Sequence, residues 1–192
     1  SMVDGSDKHD FETINPATGK ALARIATASE SDVDAAVNAA RAAYTNVWGP
    51  MSGAARGKYL YRIARRLQER AREFAVLETM DNGKPIRETR DVDTALAAQH
   101  FFYYAGWADK LNYAVPGRQV RPLGVAAQVI PWNFPLLMAA WKIAPALAAG
   151  NTVVIKPAET SPLTALRLCD VFVQAGLPAG VVNVVTGDGQ TG

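Results

Sequence analysis

A proline-bounded turn between two apolar runs constrains the fold of this chain more than any other feature. Residues 125–130 form an apolar run short enough for a buried strand, and the Pro-Trp-Asn-Phe-Pro sequence at 131–135 must end it, because proline donates no hydrogen bond to a sheet. Pro135 suits the first turn of a helix, so the almost wholly apolar stretch 136–149 is predicted to be a helix that is covered on most sides. A second apolar, β-branched run follows at 152–155. Strand, helix and strand over this length are typical of a βαβ unit with parallel strands.

The same pattern repeats further along the chain. Thr160 or Ser161 can cap a helix that runs to about Ala175, and residues 181–185 are predicted to form a third strand. The predicted fold class is α/β, with a partial Rossmann-like parallel sheet and flanking helices. Ligands of such sheets bind outside the carboxyl ends of the strands, so function is expected in the three segments there. These segments are 131–135, 156–159 and 186–192.

A β-hairpin and a helical region precede the predicted sheet. Two short strands, 11–14 and 21–25, flank the turn sequence Asn-Pro-Ala-Thr-Gly. Helices are predicted over 32–45, from Ser52 onward with an apolar face that reaches Phe74, and over 87–111.

The second of these helices carries a basic excess on its polar face. A nucleic acid could bind there, but the favoured interpretation is a solvated face, because acids lie one turn away from the arginines and no aromatic residues are interleaved. The formal net charge of +2 gives no general case for nucleic acid either. The residues of this face are Arg62, Arg65, Arg66, Glu69, Arg70 and Glu73.

Length and composition bound the class of protein. The chain has 192 residues, of which 49% are hydrophobic, enough for one domain with a substantial core. Its single cysteine, Cys169, cannot form an intrachain disulfide, which fits a cytoplasmic protein. No membrane segment or secretory signal is predicted. Residues 1–10 are interpreted as a tag remnant and a loose N-terminus.

A lysine and an acid follow the second predicted sheet strand. In dinucleotide-binding sheets an acid at this place accepts hydrogen bonds from the adenosine ribose, and a lysine could donate to the same hydroxyls. The pair here is Lys156 and Glu159. A carboxylate also repels a 2′-phosphate, which favours NAD over NADP. The alternative is an exposed loop pair that binds no ligand.

Three other candidates each have an ordinary explanation. Residues 187–192 match G-x-G-x-x-G, but the helix and the acid about twenty residues on are missing, so a tight turn explains them nearly as well. The Asn133 amide could stabilise an oxyanion, or it could bond its own turn. Cys169 lies inside a predicted helix, where a cysteine is usually a small core residue. No metal-ligand spacing, G-x-S-x-G or Walker loop occurs.

Long sequence blocks resemble patterns of the aldehyde dehydrogenase superfamily. They are Ile-Pro-Trp-Asn-Phe-Pro at 130–135, Pro-Ala-Leu-Ala-Ala-Gly-Asn-Thr-Val-Val-Ile-Lys-Pro-Ala-Glu at 145–159, Gly-Leu-Pro-Ala-Gly-Val-Val-Asn-Val-Val at 176–185 and the early Asn-Pro-Ala-Thr-Gly. The resemblance covers essentially all of residues 11–192. It implies the N-terminal part of a cofactor-binding domain.

The resemblance also implies an activity, the NAD(P)-dependent oxidation of an aldehyde to a carboxylic acid. In that family a cysteine thiolate attacks the carbonyl, hydride passes to the nicotinamide, and water hydrolyses the thioester. By motif match, Asn133 would be the oxyanion donor, Lys156 and Glu159 would bind the adenosine ribose, and Gly189 would pass close to the adenosine end. Lys142 matches a position tied in some members to proton relay. The cofactor cleft would be lined by Val129, Ile130, Pro131 and Trp132.

This chain departs from the family pattern in two respects. The family's nucleophile and general base come in later segments, and Cys169 does not match the nucleophile, so the chain alone is predicted to be inactive. Residues 112–123 are predicted to form a short extended excursion of the oligomerisation type, shorter than the hairpin of many members. For the full-length enzyme we expect an aldehyde substrate and a homo-oligomer, with no nucleic acid and no membrane. The alternatives are a stand-alone nucleotide-binding or regulatory module, and a pseudoenzyme subunit that assembles through its aromatic helix at 101–107.

Overall fold

The hairpin predicted at the start of the chain is present. The computed structural model describes residues 9–192, so most of the segment interpreted as a tag remnant and loose N-terminus lies outside the described residues. Strands β1 (Asp10–Asn15) and β2 (Lys20–Ala26) pair antiparallel. The Asn15 side chain stabilises the turn between them by accepting a 2.9 Å hydrogen bond from the Ala17 amide.

Two of the helices predicted in the N-terminal region are interrupted in the structure. The helix predicted from Ser52 through Phe74 is two helices, because the backbone at Arg70 leaves the helical conformation with φ −106° and ψ 15°. The helix predicted over 87–111 begins one residue earlier, passes through a π-helical turn and ends at Trp107. The elements are α1 (Glu30–Ala43), a π turn (Tyr44–Trp48), α2 (Gly53–Glu69), α3 (Ala71–Asn82), α4 (Ile86–Glu88), a π turn (Thr89–Asp93), α5 (Thr94–Trp107) and α6 (Leu111–Ala114).

The second half of the chain forms the predicted parallel sheet. Strands β3 (Val125–Val129), β4 (Thr152–Lys156) and β5 (Val182–Val184) pair in the order β3-β4-β5, and all pairs are parallel. Helices α7 (Pro135–Ala148) and α8 (Leu163–Gln174) are the crossovers. The fold is therefore α/β with a parallel sheet, as predicted, and Pro135 is the first residue of its helix.

Strand β3 is less buried than the sequence suggested. The apolar run 125–130 was expected to be buried, but Val129 is 54% exposed and only β4 pairs with β3 among the described residues. The central strand β4 is buried along its whole length. An edge position explains the difference, since it leaves one side of β3 without a neighbouring strand.

The N-terminal helices cover the sheet and fix the C-terminal end of α7. The Trp48 indole N–H donates to the Leu147 carbonyl at 3.3 Å, and Arg56 Nε donates to the Ala148 carbonyl at 3.2 Å. These bonds satisfy carbonyls that a helix end leaves without an intrahelical partner. The largest fully buried apolar side chains come from both halves of the chain, so one core serves both. They are Trp48, Phe74, Phe101, Leu60, Ile63, Leu67, Leu136, Ile143, Leu147, Ile155 and Leu168.

Three surface features can be compared with their predictions. The excursion at 112–123 was predicted to be extended, but it starts with the helical turn α6, and Leu123 is 99% exposed.

The basic face of α2 is solvated, and its charges pair with one another, with Arg66 and Glu69 in a 2.7 Å ion pair. Within residues 9–192, no helix has both the length and the apolar character needed to span a bilayer.

Candidate functional site

The carboxyl ends of the three sheet strands bring the predicted functional segments to one edge. Val129 pairs with Lys156 across the β3–β4 ladder, and the Ile130 amide donates to the Lys156 carbonyl at 3.1 Å. On the other side of β4, the Val185 amide donates to the Ile155 carbonyl at 3.0 Å. The turn at 131–134, the loop after β4 and the loop after β5 therefore start side by side.

The turn at 131–134 is exposed, but its backbone is held by residues from elsewhere. Ile130 is buried, whereas Trp132 is 62% exposed. The Trp132 carbonyl accepts hydrogen bonds from the Asn82 side-chain amide and, at 3.4 Å, from the Ser161 hydroxyl. The Lys84 ammonium lies 3.7 Å from the centre of the Phe134 ring. The turn thus projects polar and aromatic side chains from a fixed backbone.

Asn133 has a free side chain in this turn. It is exposed, and its amide makes no hydrogen bond with any residue in the part of the chain that the structure describes. The ordinary explanation, an asparagine that bonds its own turn, is therefore not what the structure contains. A side-chain amide held on a fixed turn is available to donate to an external oxygen.

Lys156 is buried at the centre of the edge, where it is only 5% exposed. Its ammonium donates to the Pro157 carbonyl at 3.1 Å and to the Gly187 carbonyl at 2.9 Å, which ties β4 to the loop after β5. A lysine ammonium has three donors, so one remains for a ligand. Lys156 is therefore partly committed to the protein, which the sequence could not indicate.

Glu159 is the more accessible member of the pair. Its side chain is 48% exposed, and one carboxylate oxygen lies 3.8 Å from the Lys156 ammonium, an ion-pair distance but too long for a hydrogen bond. The carboxylate accepts no hydrogen bond among residues 9–192. It can accept two hydroxyl donors from a ligand, so the residues present fit a ribose with neighbouring hydroxyl groups.

The loop after β5 closes on itself. Asp188 accepts hydrogen bonds from the Gln190 and Thr191 amides at 2.9 and 3.3 Å, so those N–H groups are not free for a phosphate. Gly187 has φ +153°, and a Cβ there would lie 2.2 Å from the Thr191 hydroxyl oxygen. Gly189 is exposed, with no neighbour within 4 Å of its would-be Cβ. The glycines thus form a tight turn, the ordinary explanation of the G-x-G-x-x-G match.

Cys169 does not have the properties of a nucleophile. It lies within α8, and desolvation by burial raises the pKa of its thiol to about 11. The reactive form of a cysteine is the thiolate, which is scarce at neutral pH under these conditions. The structure therefore agrees with the interpretation of Cys169 as a packing residue.

Two buried acids on α3 were missed by sequence reasoning. Glu78 accepts a 3.1 Å hydrogen bond from the Leu136 amide, and Asp81 accepts one of 2.9 Å from the Leu163 amide. Burial is the main cause that raises the pKa of Glu78 to about 8 and that of Asp81 to about 6. The sequence did contain a signal that Glu78 is buried, because Glu78 follows the core residue Phe74 by one helical turn on the apolar face of the helix.

The predicted cap of α8 is also corrected. Thr160 or Ser161 was expected to cap this helix, but its N-cap residue is Pro162, whose side chain cannot accept a hydrogen bond. The Ser161 hydroxyl instead donates to the Trp132 carbonyl. Asp81 supplies the missing cap from another helix.

Comparison with known proteins assigns the family. A model of the aldehyde dehydrogenase family matches residues 2–192. The chain belongs to the aldehyde dehydrogenase family. The mitochondrial aldehyde dehydrogenase family 2 member B4 of Arabidopsis thaliana is 45% identical over 201 residues, which cover 100% of this chain and 37% of that protein. An aldehyde dehydrogenase of Agaricus bisporus is also 45% identical, over 99% of this chain and 40% of its own length.

Solved structures agree with this assignment. The NAD⁺ complex of an aldehyde dehydrogenase from Bacillus cereus matches with a TM-score of 0.94 and 41% identity, over 99% of this chain and 40% of that one. PnpE in complex with nicotinamide adenine dinucleotide matches with a TM-score of 0.92 and 40% identity over the same shares. The chain spans about 40% of the length of these relatives.

Proposed function

We propose that this chain is the NAD-binding portion of an aldehyde dehydrogenase that oxidises an aldehyde to a carboxylic acid. The observation that carries the proposal is the half-exposed Glu159 carboxylate, which accepts no hydrogen bond among the described residues and stands at the carboxyl end of the central strand. Two of the similar solved structures are NAD complexes, which supports the choice of cofactor.

The residues along this edge take the following roles in the proposal. Glu159 accepts hydrogen bonds from the adenosine ribose hydroxyls, and its charge disfavours the 2′-phosphate of NADP. Lys156 offers its remaining ammonium hydrogen to the same ribose, and the exposed Gly189 leaves room for the adenosine end. The wall of the cleft would be formed by Val129, Ile130, Pro131 and Trp132, of which Ile130 is buried and the other three are exposed.

Asn133 acts on the substrate side. Bound NAD would supply the hydride acceptor for the oxidation. The Asn133 amide would donate a hydrogen bond to the aldehyde oxygen as negative charge develops on it, and the fixed backbone of the turn means that little reorganisation is needed.

The nucleophile and the general base belong, in this proposal, to another part of the enzyme. Residues 11–192 are then the N-terminal part of the cofactor-binding domain, and the chain alone is inactive towards aldehydes. The neutral thiol of Cys169 supports that view. We further propose that the enzyme is a homo-oligomer. The single cysteine favours a reducing compartment such as the cytoplasm.

Calorimetric titration of the chain with NAD and NADP tests the proposal. We expect saturable binding of NAD and weaker binding of NADP. Glu159→Gln should lower NAD affinity about tenfold or more, because a hydrogen bond to a charged group contributes roughly 1.5–3 kcal/mol. The same substitution should reduce the difference between the affinities for NAD and NADP.

Glu69→Gln is the matched control, since Glu69 is an exposed acid on α2 that pairs with Arg66. It should leave both affinities unchanged. Unaltered NAD affinity in Glu159→Gln would reject the ribose assignment. Absence of saturable NAD binding by the unmodified chain would reject the cofactor role and favour the alternative of an assembly subunit.

A further inference from the structure

The N-termini of the two crossover helices lack caps from their own sequence. The N-cap residue of α7 is Phe134 and that of α8 is Pro162, and neither side chain caps its helix. The first N–H groups of a helix have no intrahelical acceptor, and leaving such groups buried without a partner is unfavourable. Both helices therefore need an acceptor from elsewhere.

Helix α3 supplies both acceptors from a single turn. Glu78 and Asp81 are three residues apart, and they are 1% and 3% exposed. Glu78 accepts from the Leu136 amide at the start of α7, and Asp81 accepts from the Leu163 amide at the start of α8. One rigid turn of α3 therefore contacts both crossover helices.

Each of these contacts lies directly behind one segment of the candidate site. Leu136 follows Asn133 by three residues, and Leu163 follows Glu159 by four. Asn82, the next residue of α3, holds the Trp132 carbonyl within the first segment. The end of α3 thus touches the bases of both segments but contains neither of the proposed ligand-binding groups.

The second oxygen of Glu78 completes the arrangement. Glu78 Oε1 and Asp93 Oδ1 are both buried without a hydrogen-bond donor in residues 9–192, and the two carboxyl groups lie close enough to share a hydrogen bond. The other Asp93 oxygen pairs with Lys84. Burial and the nearby Asp93 raise the pKa of Glu78 to about 8, so Glu78 carries a proton at neutral pH and can donate it to Asp93. One proton thereby satisfies both orphaned oxygens.

We propose that Glu78 and Asp81 are positioning residues, which anchor the starts of α7 and α8 to one turn of α3 and so fix the Asn133 turn relative to the Glu159 loop. Glu78 performs this role as a neutral acid that accepts from Leu136 and donates to Asp93. The link to cofactor affinity rests on the proposed function, whereas the anchoring itself does not.

Amide hydrogen exchange of the native chain tests the anchoring directly. Glu78→Ala should lower protection at the Leu136 amide at least tenfold more than at Leu163, and Asp81→Ala should do the reverse. A general loss of stability would lower both protections together. Equal losses at the two amides in both variants, or no loss in either, would overturn the proposal.

The conservative variant Glu78→Gln tests whether a neutral side chain is enough at this position. Gln at position 78 resembles the protonated acid, since its carbonyl can accept from Leu136 and its NH₂ can donate to Asp93. Glu78→Gln should therefore keep Leu136 protection and NAD affinity at pH 7, whereas Glu78→Ala should weaken NAD about tenfold. Glu69→Gln, the exposed acid on α2 that pairs with Arg66, is again the control and should change neither Leu136 protection nor NAD affinity. Equal behaviour of the Gln and Ala variants at position 78 would refute the neutral-acid role.

Stability against pH provides an independent readout. In the folded chain Glu78 keeps its proton up to about pH 8, whereas its ordinary value is 4.5, so the folded state binds the extra proton between these values. The unfolding free energy should therefore fall as pH rises through this window, by up to about tenfold in the unfolding equilibrium constant per pH unit. The groups facing Glu78 are Asp93 and Lys84, and the Leu136 amide.

Glu78→Gln should remove the fall in unfolding free energy that the Glu78 proton causes. The variant should therefore gain stability relative to the unmodified chain as the pH rises from 5 to 8, as measured by urea melts. A constant difference across that range would overturn the neutral-acid role. If the unmodified chain fails to bind NAD, the proposed function fails, while exchange and the pH series still decide on the positioning residues.

Discussion

The Asn133 side chain takes no part in the hydrogen bonds that hold its turn among residues 9–192. It is exposed and makes no hydrogen bond to another described residue, whereas Asn82 donates to the Trp132 carbonyl one residue away. Asn82 therefore stabilises the turn, and the chemical role proposed for Asn133 can be tested separately from that stability.

Asn133→Ala should change the unfolding free energy by no more than about 0.5 kcal/mol, the usual range for a surface substitution. Asn82→Ala, the comparison variant, should lose about 1 kcal/mol with its hydrogen bond. In the longer enzyme that the proposed function implies, Asn133→Ala should lower kcat roughly 10²–10³-fold, the typical effect of losing one oxyanion donor. Urea melts and steady-state kinetics measure these quantities. Equal destabilisation by both substitutions would contradict the assignment.

Sequence reasoning reached some residues of the site and not others, for a physical reason. Asn133 and Glu159 stand next to strand ends, so local pattern placed them at the edge. Glu78 and Asp81 act on amides that lie 58 and 82 residues further along the chain. Hydrophobic spacing indicates that such an acid is buried but not which amide it meets.

At the scale of elements, the close contact between α2 and α5 depends on small residues. A Cβ at Gly53 would lie 2.1 Å from the Ala108 carbonyl oxygen, and one at Gly57 would lie 2.9 Å from the Ala105 carbonyl oxygen. The backbones therefore approach each other where α2 presents glycine. Gly106, on α5 itself, has nothing within 4 Å of its would-be Cβ.

Gly53→Ala should lose about 1–3 kcal/mol of stability, because the added methyl forces the α5 end to move. Gly106→Ala introduces the same methyl into open space within a helix, and it should gain up to about 1 kcal/mol from helix propensity. Thermal or urea denaturation of the pair measures the contrast. A neutral Gly53→Ala would show that the close approach of the helices has been overstated.

The elements themselves were predictable to different degrees. The βαβ unit followed from run lengths and from Pro135, because proline fixes both the end of a strand and the start of a helix. The break at Arg70 and the π turns at Tyr44–Trp48 and Thr89–Asp93 did not follow. The apolar period continues across Arg70, so it signals one buried face and not where the backbone bends.

At the scale of the molecule, residues from the first half of the chain hold the sheet edge that the second half forms. Arg56 and Trp48 fix one end of α7, and Glu78 fixes the other. Asn133 and Glu159 can therefore stay exposed and without hydrogen bonds to the described residues while their segments are held from behind. This division of roles is what a binding site on a parallel sheet requires.

Mapping of NAD on the chain by amide chemical shifts in NMR tests whether the sheet edge binds the cofactor. We predict saturable shifts concentrated at 129–133, 156–159 and 187–192, with little change in the groove of about 900 Å³ between α3 and α8 that includes Val76, Met80 and Leu166. Shifts centred on that groove, or no saturable shifts at all, would contradict the assignment of the sheet edge as the cofactor site.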